Sequence, residues 1–405
     1  MNTFLKDFEE IEINNLENFH EFVETRERTD VWREPYVNEL KAIGLPLDSP
    51  ILAQACLSTL PFPEITEEQI IEAMNPEYGE MGLVLECPNE HGGLGTFPLR
   101  YTAISPLLDR AGLGGRSIRN VEEKNMADAL DPTIKANIIS TCLALYKESC
   151  KVLFRDNKIA TVRSSKYEVL STNELLNELE TALSCEWADF EFIGSQVNHE
   201  YLSADFLLHD EDAEKTIKDI LNGTHVENKE WKIGLTFVTS DVGNSTAKIS
   251  PFLCVLNDAG KISYKMPFTD GVGMKHSTGA SIAKWTTNIL PKVMPLISDL
   301  ENVLEKMANT KIKNPGGCLR HLCMTLRLPK QISLDIAETF DNMYMTCTAI
   351  DVYCQLIEIL SEFEKKTVQS TQLTSPSTKL RYNDIVANSV FIDYKEHDYD
   401  FEWAA

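Results

Sequence analysis

Residues 232–266 read KIGLTFVTSDVGNSTAKISPFLCVLNDAGKISYKM, in which two turn sequences separate three β-strand patterns. Apolar residues alternate with small or polar ones around Leu235 and again around Tyr264, as in half-buried strands. The segments 241–245 and 257–260 carry the Gly, Asn, Asp and Ser residues that favour turns. The pattern predicts an antiparallel three-stranded meander.

A β-hairpin precedes this meander, and helical patterns lie on both sides. Apolar runs at 152–155 and 159–162 flank the turn residues 156–158, which is typical of a hairpin. Residues 49–81 and 333–357 repeat apolar side chains at helical spacing. Because helices and strands are segregated along the chain, we expect an α+β fold: a helical N-terminal part, a central antiparallel hairpin and meander, and long C-terminal helices.

Composition divides the chain into three regions. Residues 1–48 form an acidic N-terminal arm, whose first 40 residues hold eleven acids and four bases and whose apolar spacing indicates amphipathic helix. Residues 49–366 form the α+β core domain. Residues 367–405 begin with a polar linker and end in a tail, 388–405, that mixes five acids with five aromatics. We expect this tail to be tethered, resting on its own domain or docking on a partner.

The charge balance limits the function classes. The chain has 405 residues, with 62 acids against 38 bases and a formal net charge of -24. Such a surface repels nucleic acid and anionic lipid at long range, so binding DNA needs a local basic face. No export signal or membrane-spanning apolar run is evident, and the ten cysteines are scattered, so we expect reduced thiols and a cytoplasmic location, in the host cell if the chain is phage-encoded.

Motifs for catalysis or metal binding are weak. The phosphate-binding, dinucleotide-binding, zinc-protease and nucleophile-elbow motifs are missing from the sequence, which favours a protein that is not an enzyme and needs no cofactor. Cys318, His321 and Cys323 could bind zinc with a further ligand such as Cys87 or His91. Since no Cys-x-x-Cys pair supports this, buried thiols with a surface histidine are the favoured interpretation, and we expect no structural zinc.

Basic residues are clustered despite the acidic total. Residues 309–331 contain five bases and no acid, and two further clusters lie at 100–119 and 155–166. Lone basic islands commonly pair with acids of the same chain, but three clusters also suit phosphate binding. The candidate nucleic-acid contacts are Arg110, Arg116, Arg119, Arg163, Lys166, Arg320 and Arg327, with Tyr167 placed to stack on a base.

Three segments resemble the uncharacterised phage/plasmid-like protein family, a domain of unknown function found in bacteriophages and plasmids. They are the strand and helix start at 158–176, the segment 235–256 with Ser240-Asp-Val-Gly243, and Thr348-Ala-Ile-Asp351-Val-Tyr353. Cys254-Val-Leu-Asn257 only approximates the family's Cys-x-Asn-Gly-like segment. The resemblance covers about 97–365 and implies a mobile-element origin without an assigned chemistry. A more distant similarity is to Rad52-like single-strand annealing proteins, whose core is a hairpin, further strands and a helix.

Two hypotheses follow. The first is a non-enzymatic phage or plasmid protein that binds or anneals single-stranded DNA through the basic clusters, which we expect to converge on one face. The second is an acidic interaction protein that binds a host or phage protein through its arm or its C-terminal tail. Neither involves a membrane, and both leave a homo-oligomer open.

Overall fold

A computed structural model describes most of the chain. The described residues are 5, 9–45, 49, 83–88, 93–114, 132–156, 158–186, 190–227, 229–269, 271–328, 347–369 and 384–399. The helices predicted within 49–81 lie outside them.

Short strands and helices alternate irregularly along the described chain. The strands are β1 (Ile11–Ile13), β2 (Val31–Arg33), β3 (Lys41–Gly44), β4 (Leu83–Pro88), β5 (Leu94–Pro98), β6 (Cys150–Arg155), β7 (Lys158–Ser164), β8 (Phe190–Val197), β9 (Leu202–Leu208), β10 (Lys232–Thr239), β11 (Ala247–Leu256), β12 (Ile262–Pro267), β13 (Val272–Met274), β14 (Lys311–Ile312) and β15 (Cys347–Thr348). The helices are α1 (Leu16–Thr29), α2 (Tyr101–Arg110), α3 (Pro132–Leu143), α4 (Thr172–Glu186), α5 (Glu211–Leu221), α6 (Val293–Asn309), α7 (Pro315–Thr325) and α8 (Ala349–Gln369). Shorter helical turns lie at Val37–Glu39, Ile282–Lys284, Trp285–Ile289, Leu290–Lys292 and Tyr394–His397.

A large antiparallel sheet, curled into a half-barrel, dominates the fold. Its strand order is β1-β8-β9-β10-β11-β12, with β13 also paired to β11. The predicted meander is confirmed as β10, β11 and β12, which pair in sequence order. Ile233, Leu235 and Phe237 are at most 1% exposed and pack into the main core together with α1 and α4 to α8. The apolar residues of the alternating pattern in β10 therefore point into this core.

Two three-stranded sheets complete the frame around a second core. Their orders are β2-β6-β7 and β3-β4-β5, and the predicted hairpin is confirmed as β6 and β7. Helices α2 and α3 pack against these strands and contribute Leu107 and Ile139 to the second core. Arg155 at the end of β6 bonds Asp241 in the turn between β10 and β11, which joins the hairpin to the main sheet.

The expected order of a helical N-terminal part, central strands and C-terminal helices is wrong. The residues of the expected acidic arm supply one strand to each of the three larger sheets, β1, β2 and β3, with α1 between the first two and a short helical turn between the last two. The strand β1 pairs with Ser195–Val197 of β8, about 180 positions later in the chain. The spacing of residues in the sequence does not reveal pairing between such distant strands. The helical pattern expected in this region is present, because Phe19, Phe22 and Val23 form the buried face of α1.

The C-terminal segment also differs from the expected tethered tail. Residues 384–399 pack on the main core, to which they contribute Val386, Val390 and Tyr394. Asp398 accepts hydrogen bonds from the backbone N–H groups of Lys313 and Asn314 at 2.9 and 2.7 Å. Among the described aromatics of this segment, Tyr394 is buried, whereas Phe391 and Tyr399 are 58% and 43% exposed.

The single late helix expected from Ser333 to Ile357 is interrupted. Cys347 and Thr348 form β15, which pairs with β14, and α8 begins at Ala349. Asp351 accepts from both the backbone N–H and the hydroxyl of Thr348 at 2.7 Å, which caps the helix start. Residues 329–346 lie outside the described part.

Candidate functional site

Four of the eight sequence-predicted contact residues line one pocket. It has a volume of about 200 Å³ and is called the basic pocket below. Arg110 comes from the end of α2, Arg163 from β7, and Lys166 and Tyr167 from the loop after β7. The other lining residues are Pro106, Asp109, Val162, Ser164, His276 and Ser277.

The packing of α2 on β7 brings these groups together. The hydroxyl of Thr102 donates to the carbonyl of Ala160 at 2.6 Å, and the N–H of Arg100 donates to the carbonyl of Ile159 at 2.9 Å. These bonds fix the first turn of α2 beside β7, so the last turn reaches the end of that strand. Lys151 then anchors the following loop by donating to the carbonyl of Tyr167 at 2.8 Å.

Tyr167 is the centre of a stack of three rings. Its ring centroid lies 5.6 Å from that of Trp32 and 5.2 Å from that of His276. Its hydroxyl donates to the carbonyl of Asp241 at 2.9 Å, and burial raises the pKa of that hydroxyl. The expectation that Tyr167 stacks on a nucleic-acid base is wrong, because Tyr167 is 6% exposed and stacks with the protein rings of Trp32 and His276.

Arg163 is held by the turn between β10 and β11. Its guanidinium donates to the carbonyl of Val242 and lies 5.9 Å from the Tyr167 ring centroid. Gly243, with φ of 74°, packs under it, and a Cβ there would come within 2.8 Å of the Arg163 Cζ. Desolvation by burial lowers the pKa of Arg163. The turn predicted from residues 241–245 therefore positions a cation 80 residues earlier in the chain.

The other two cations, Arg110 and Lys166, differ in whether a carboxylate lies close to them and in their exposure. The Arg110 guanidinium lies 3.6 Å from the carboxylate of Glu148, which is itself 57% exposed. Lys166 is exposed at the pocket rim. Three cations and Asp109 line the pocket, so 3 − 1 leaves a formal charge of +2 in a protein that is acidic overall.

His276 adds a ring nitrogen that can change its role. Its Nδ1 lies 3.2 Å from the carbonyl oxygen of Glu168, which can only accept, so we assign the proton of the neutral ring to Nδ1. Its Nε2 is buried and has no hydrogen-bond partner among the described residues. Burial lowers the pKa of His276, so at neutral pH Nε2 is an acceptor, and it becomes a donor when the ring is protonated.

The remaining predicted contacts do not line this pocket. Arg320 lies within α7 and is 7% exposed, and Arg327 follows the end of that helix with a left-handed φ of 55°. Arg116 and Arg119 lie outside the described residues. The expected convergence of Arg116, Arg163 and Arg320 is thus not seen at the basic pocket.

Sequence reasoning missed four polar members of the pocket. They are Asp109, Ser164, His276 and Ser277, to which the sequence patterns assigned no binding role. His276 contacts Tyr167 and Glu168, which lie more than 100 residues earlier in the chain, so no local pattern signals this meeting.

The described cysteines and histidines of the zinc hypothesis are not grouped around one point where a metal ion could bind. Cys318 and Cys323 on α7 are buried, and burial raises the pKa of both thiols to about 12. Among the described residues, no group of three or more His, Cys, Asp or Glu is arranged to hold a metal ion. His321 instead faces His397, with 2.5 Å between the two Nδ1 atoms. Cys87 is buried in β4, and His91 lies outside the described part.

No helix in the described part of the chain combines the length and apolar character needed to cross a membrane.

Comparisons with protein-family models, with curated proteins and with solved structures found no match to this chain. The phage/plasmid and Rad52-like resemblances therefore remain predictions from the sequence.

Proposed function

We propose that this protein binds single-stranded DNA without acting on it chemically, and that the basic pocket holds a backbone phosphate. One observation carries the proposal. Three cations that the sequence singled out, Arg110, Arg163 and Lys166, line one small pocket of a chain with net charge -24. Phosphate contacts of this kind supply most of the affinity for nucleic acid when no base is read.

The groups around the pocket suit a phosphodiester. Arg110 and Lys166 donate to phosphate oxygens, and the hydroxyls of Ser164 and Ser277 are further donors on the same pocket wall. Arg163 contributes a fixed charge because the turn at Val242 holds its guanidinium. Protonation of His276 adds a donor at Nε2. Pairing of these donors with an anion offsets the cost of burying their charge.

Binding by this route has little sequence preference. Tyr167 is enclosed by Trp32 and His276, so it offers no ring face on which a base could stack. Phosphate contacts position a strand without reading its bases. We therefore expect similar affinities for oligonucleotides of different sequence and equal length.

The affinity of a fluorescent oligonucleotide for two matched variants tests the proposal. Lys166→Ala removes an exposed cation at the pocket, whereas Lys218→Ala removes one from the exposed surface of α5. We expect the first to weaken binding by about 3- to 10-fold, as for loss of about 1 kcal/mol, and the second to leave it almost unchanged.

The proposal fails if the full-length protein shows no saturable binding at low salt, or if both variants weaken binding equally. Folded protein without DNA binding would favour the alternative, an acidic protein whose partner is another protein. Thermal melting of each variant confirms that a lost affinity is not lost structure.

A further inference from the structure

A second and larger cavity has no lining residue in common with the basic pocket. Its volume is about 410 Å³, within the range of small-molecule sites. It is called the apolar pocket here. The loop after α5 and the first turns of α7 and α8 enclose it, and its apolar lining consists of Val226, Pro315, Leu319, Cys347, Val352 and Cys354.

The two carboxylates of this pocket already have hydrogen-bond donors. Asp351 accepts from the backbone N–H of His225 at 2.9 Å and from Thr348 at 2.7 Å. Glu358 is exposed at the rim and accepts from the amide of Gln355 at 3.3 Å. Asp351 thus fixes the loop after α5 to the start of α8, and its carboxylate oxygens already accept hydrogen bonds from the protein.

Lys229 is the charged group that remains available. Its ammonium lies 4.0 Å from the centroid of the Tyr264 ring and 5.8 Å from that of Trp231. Tyr264 is fixed in turn, since its hydroxyl donates to the carbonyl of Cys354 at 3.2 Å. Within the described ranges, no carboxylate lies within ion-pair distance of this ammonium. Aromatic contact holds the cation at the pocket without neutralising it.

The thiols belong to the apolar wall and do not provide a nucleophile. Burial raises the pKa of Cys354 and of Cys347 to about 12, so both stay protonated at neutral pH. A neutral thiol behaves as a small apolar group. The chemistry left to the pocket is therefore apolar contact plus one cation.

We propose that the apolar pocket binds a small carboxylate with an apolar body, of the medium-chain fatty acid class. The carboxylate pairs with Lys229, with the imidazole of His225 beside it at the rim, and the hydrocarbon displaces water from the wall formed by Leu319 and Val352. A neutral or cationic head group leaves Lys229 unpaired. This site is separate from the proposed DNA contact.

Calorimetric titration of the full chain with octanoate, octanol and octylamine tests this inference. We expect saturable binding of octanoate, with octanol at least tenfold weaker and octylamine undetectable. Lys229→Met keeps the aliphatic stem and should weaken octanoate at least tenfold, whereas Lys218→Met on α5 should not change it.

Lys229→Arg provides the second variant. It preserves the charge over the Tyr264 ring and should keep octanoate binding, which separates loss of charge from loss of structure if Lys229→Met melts early. Equal binding of octylamine, unchanged binding by Lys229→Met, or no binding of octanoate to the unaltered chain would each overturn the inference.

Discussion

The position of Arg163 depends on a residue without a side chain. Gly243 has a left-handed φ of 74°, and a Cβ would approach the Arg163 guanidinium carbon to 2.8 Å. Gly260 has nearly the same φ, 72°, with no atom within 4 Å of an added Cβ. The two glycines therefore separate backbone strain from steric displacement.

Gly243→Ala should destabilise the fold by about 1–2 kcal/mol and weaken DNA binding, because strain and the displaced cation act together. Gly260→Ala should cost about 1 kcal/mol and leave DNA binding intact. Denaturant unfolding and oligonucleotide binding measure both effects. Equal loss of DNA affinity in the two variants would show that Gly243 has no specific role in positioning Arg163 for DNA binding.

If the basic pocket holds a DNA phosphate as proposed, His276 should make this binding depend on pH. Burial lowers its pKa below the usual 6.5 in the free protein, and a phosphate at Nε2 raises it. Affinity should therefore rise as the pH falls from 7.5 to 5.5, because binding takes up a proton. His276→Gln should flatten this dependence, while His209→Gln, at a 42% exposed side chain, should not. An unchanged pH profile in His276→Gln would contradict the assignment.

At the scale of elements, two ion pairs of one buried arginine join the C-terminal end of α1, the hairpin and the main sheet. Arg155 donates to Asp30 at 2.5 Å and to Asp241 at 2.8 Å, and its own side chain is 4% exposed. Desolvation lowers the pKa of Arg155, but the nearby carboxylates of Asp30, Asp241 and Asp156 together raise it above its ordinary value. The guanidinium thus stays charged and holds the turn that supports Arg163.

Asp30→Asn should destabilise the protein by about 3–5 kcal/mol, because it leaves a buried guanidinium with one carboxylate fewer. Glu86→Gln is the matched control, since its pairing with Lys41 at 3.3 Å involves a 64% exposed ammonium and should contribute less than about 1 kcal/mol. Urea titrations compare them. A similar midpoint for the two variants would show that the junction is unimportant for stability.

The sequence predicted some elements well and others not at all. The hairpin and meander were predictable because adjacent strands with turn residues between them leave a local record. The strands β1, β2 and β3 were not, since each pairs with a distant segment and is three or four residues long. Likewise, the bases of the pocket were predictable as clusters, whereas their meeting with His276 was not.

At the scale of the whole molecule, the C-terminal segment is part of the core. Tyr394 is 2% exposed and Val390 3% exposed, both in the main cluster. The polar composition before this segment predicted a tethered tail and left open whether it rests on its own domain or docks on a partner, because composition does not report where a chain returns to its core. Burial in the main core accounts for the apolar side chains of Val390 and Tyr394.

Tyr394→Ala should therefore cost about 3–5 kcal/mol, the range for truncating a buried aromatic. Tyr399→Ala, at a side chain 43% exposed, should cost less than about 1 kcal/mol. Thermal melting of both variants checks this. If the Tyr394→Ala protein were as stable as the unaltered chain, the result would support the earlier hypothesis that the tail is tethered and is not part of the core.

The salt dependence of oligonucleotide binding tests the central claim most directly. Each phosphate contact on a single strand contributes about 0.7 to the slope of log affinity against log salt concentration. The double variant Arg110→Gln/Lys166→Ala should lose two contacts, so its slope should be shallower by about 1.4 than that of the unaltered protein. Equal slopes, with or without a change in affinity, would show that DNA phosphate does not occupy the basic pocket.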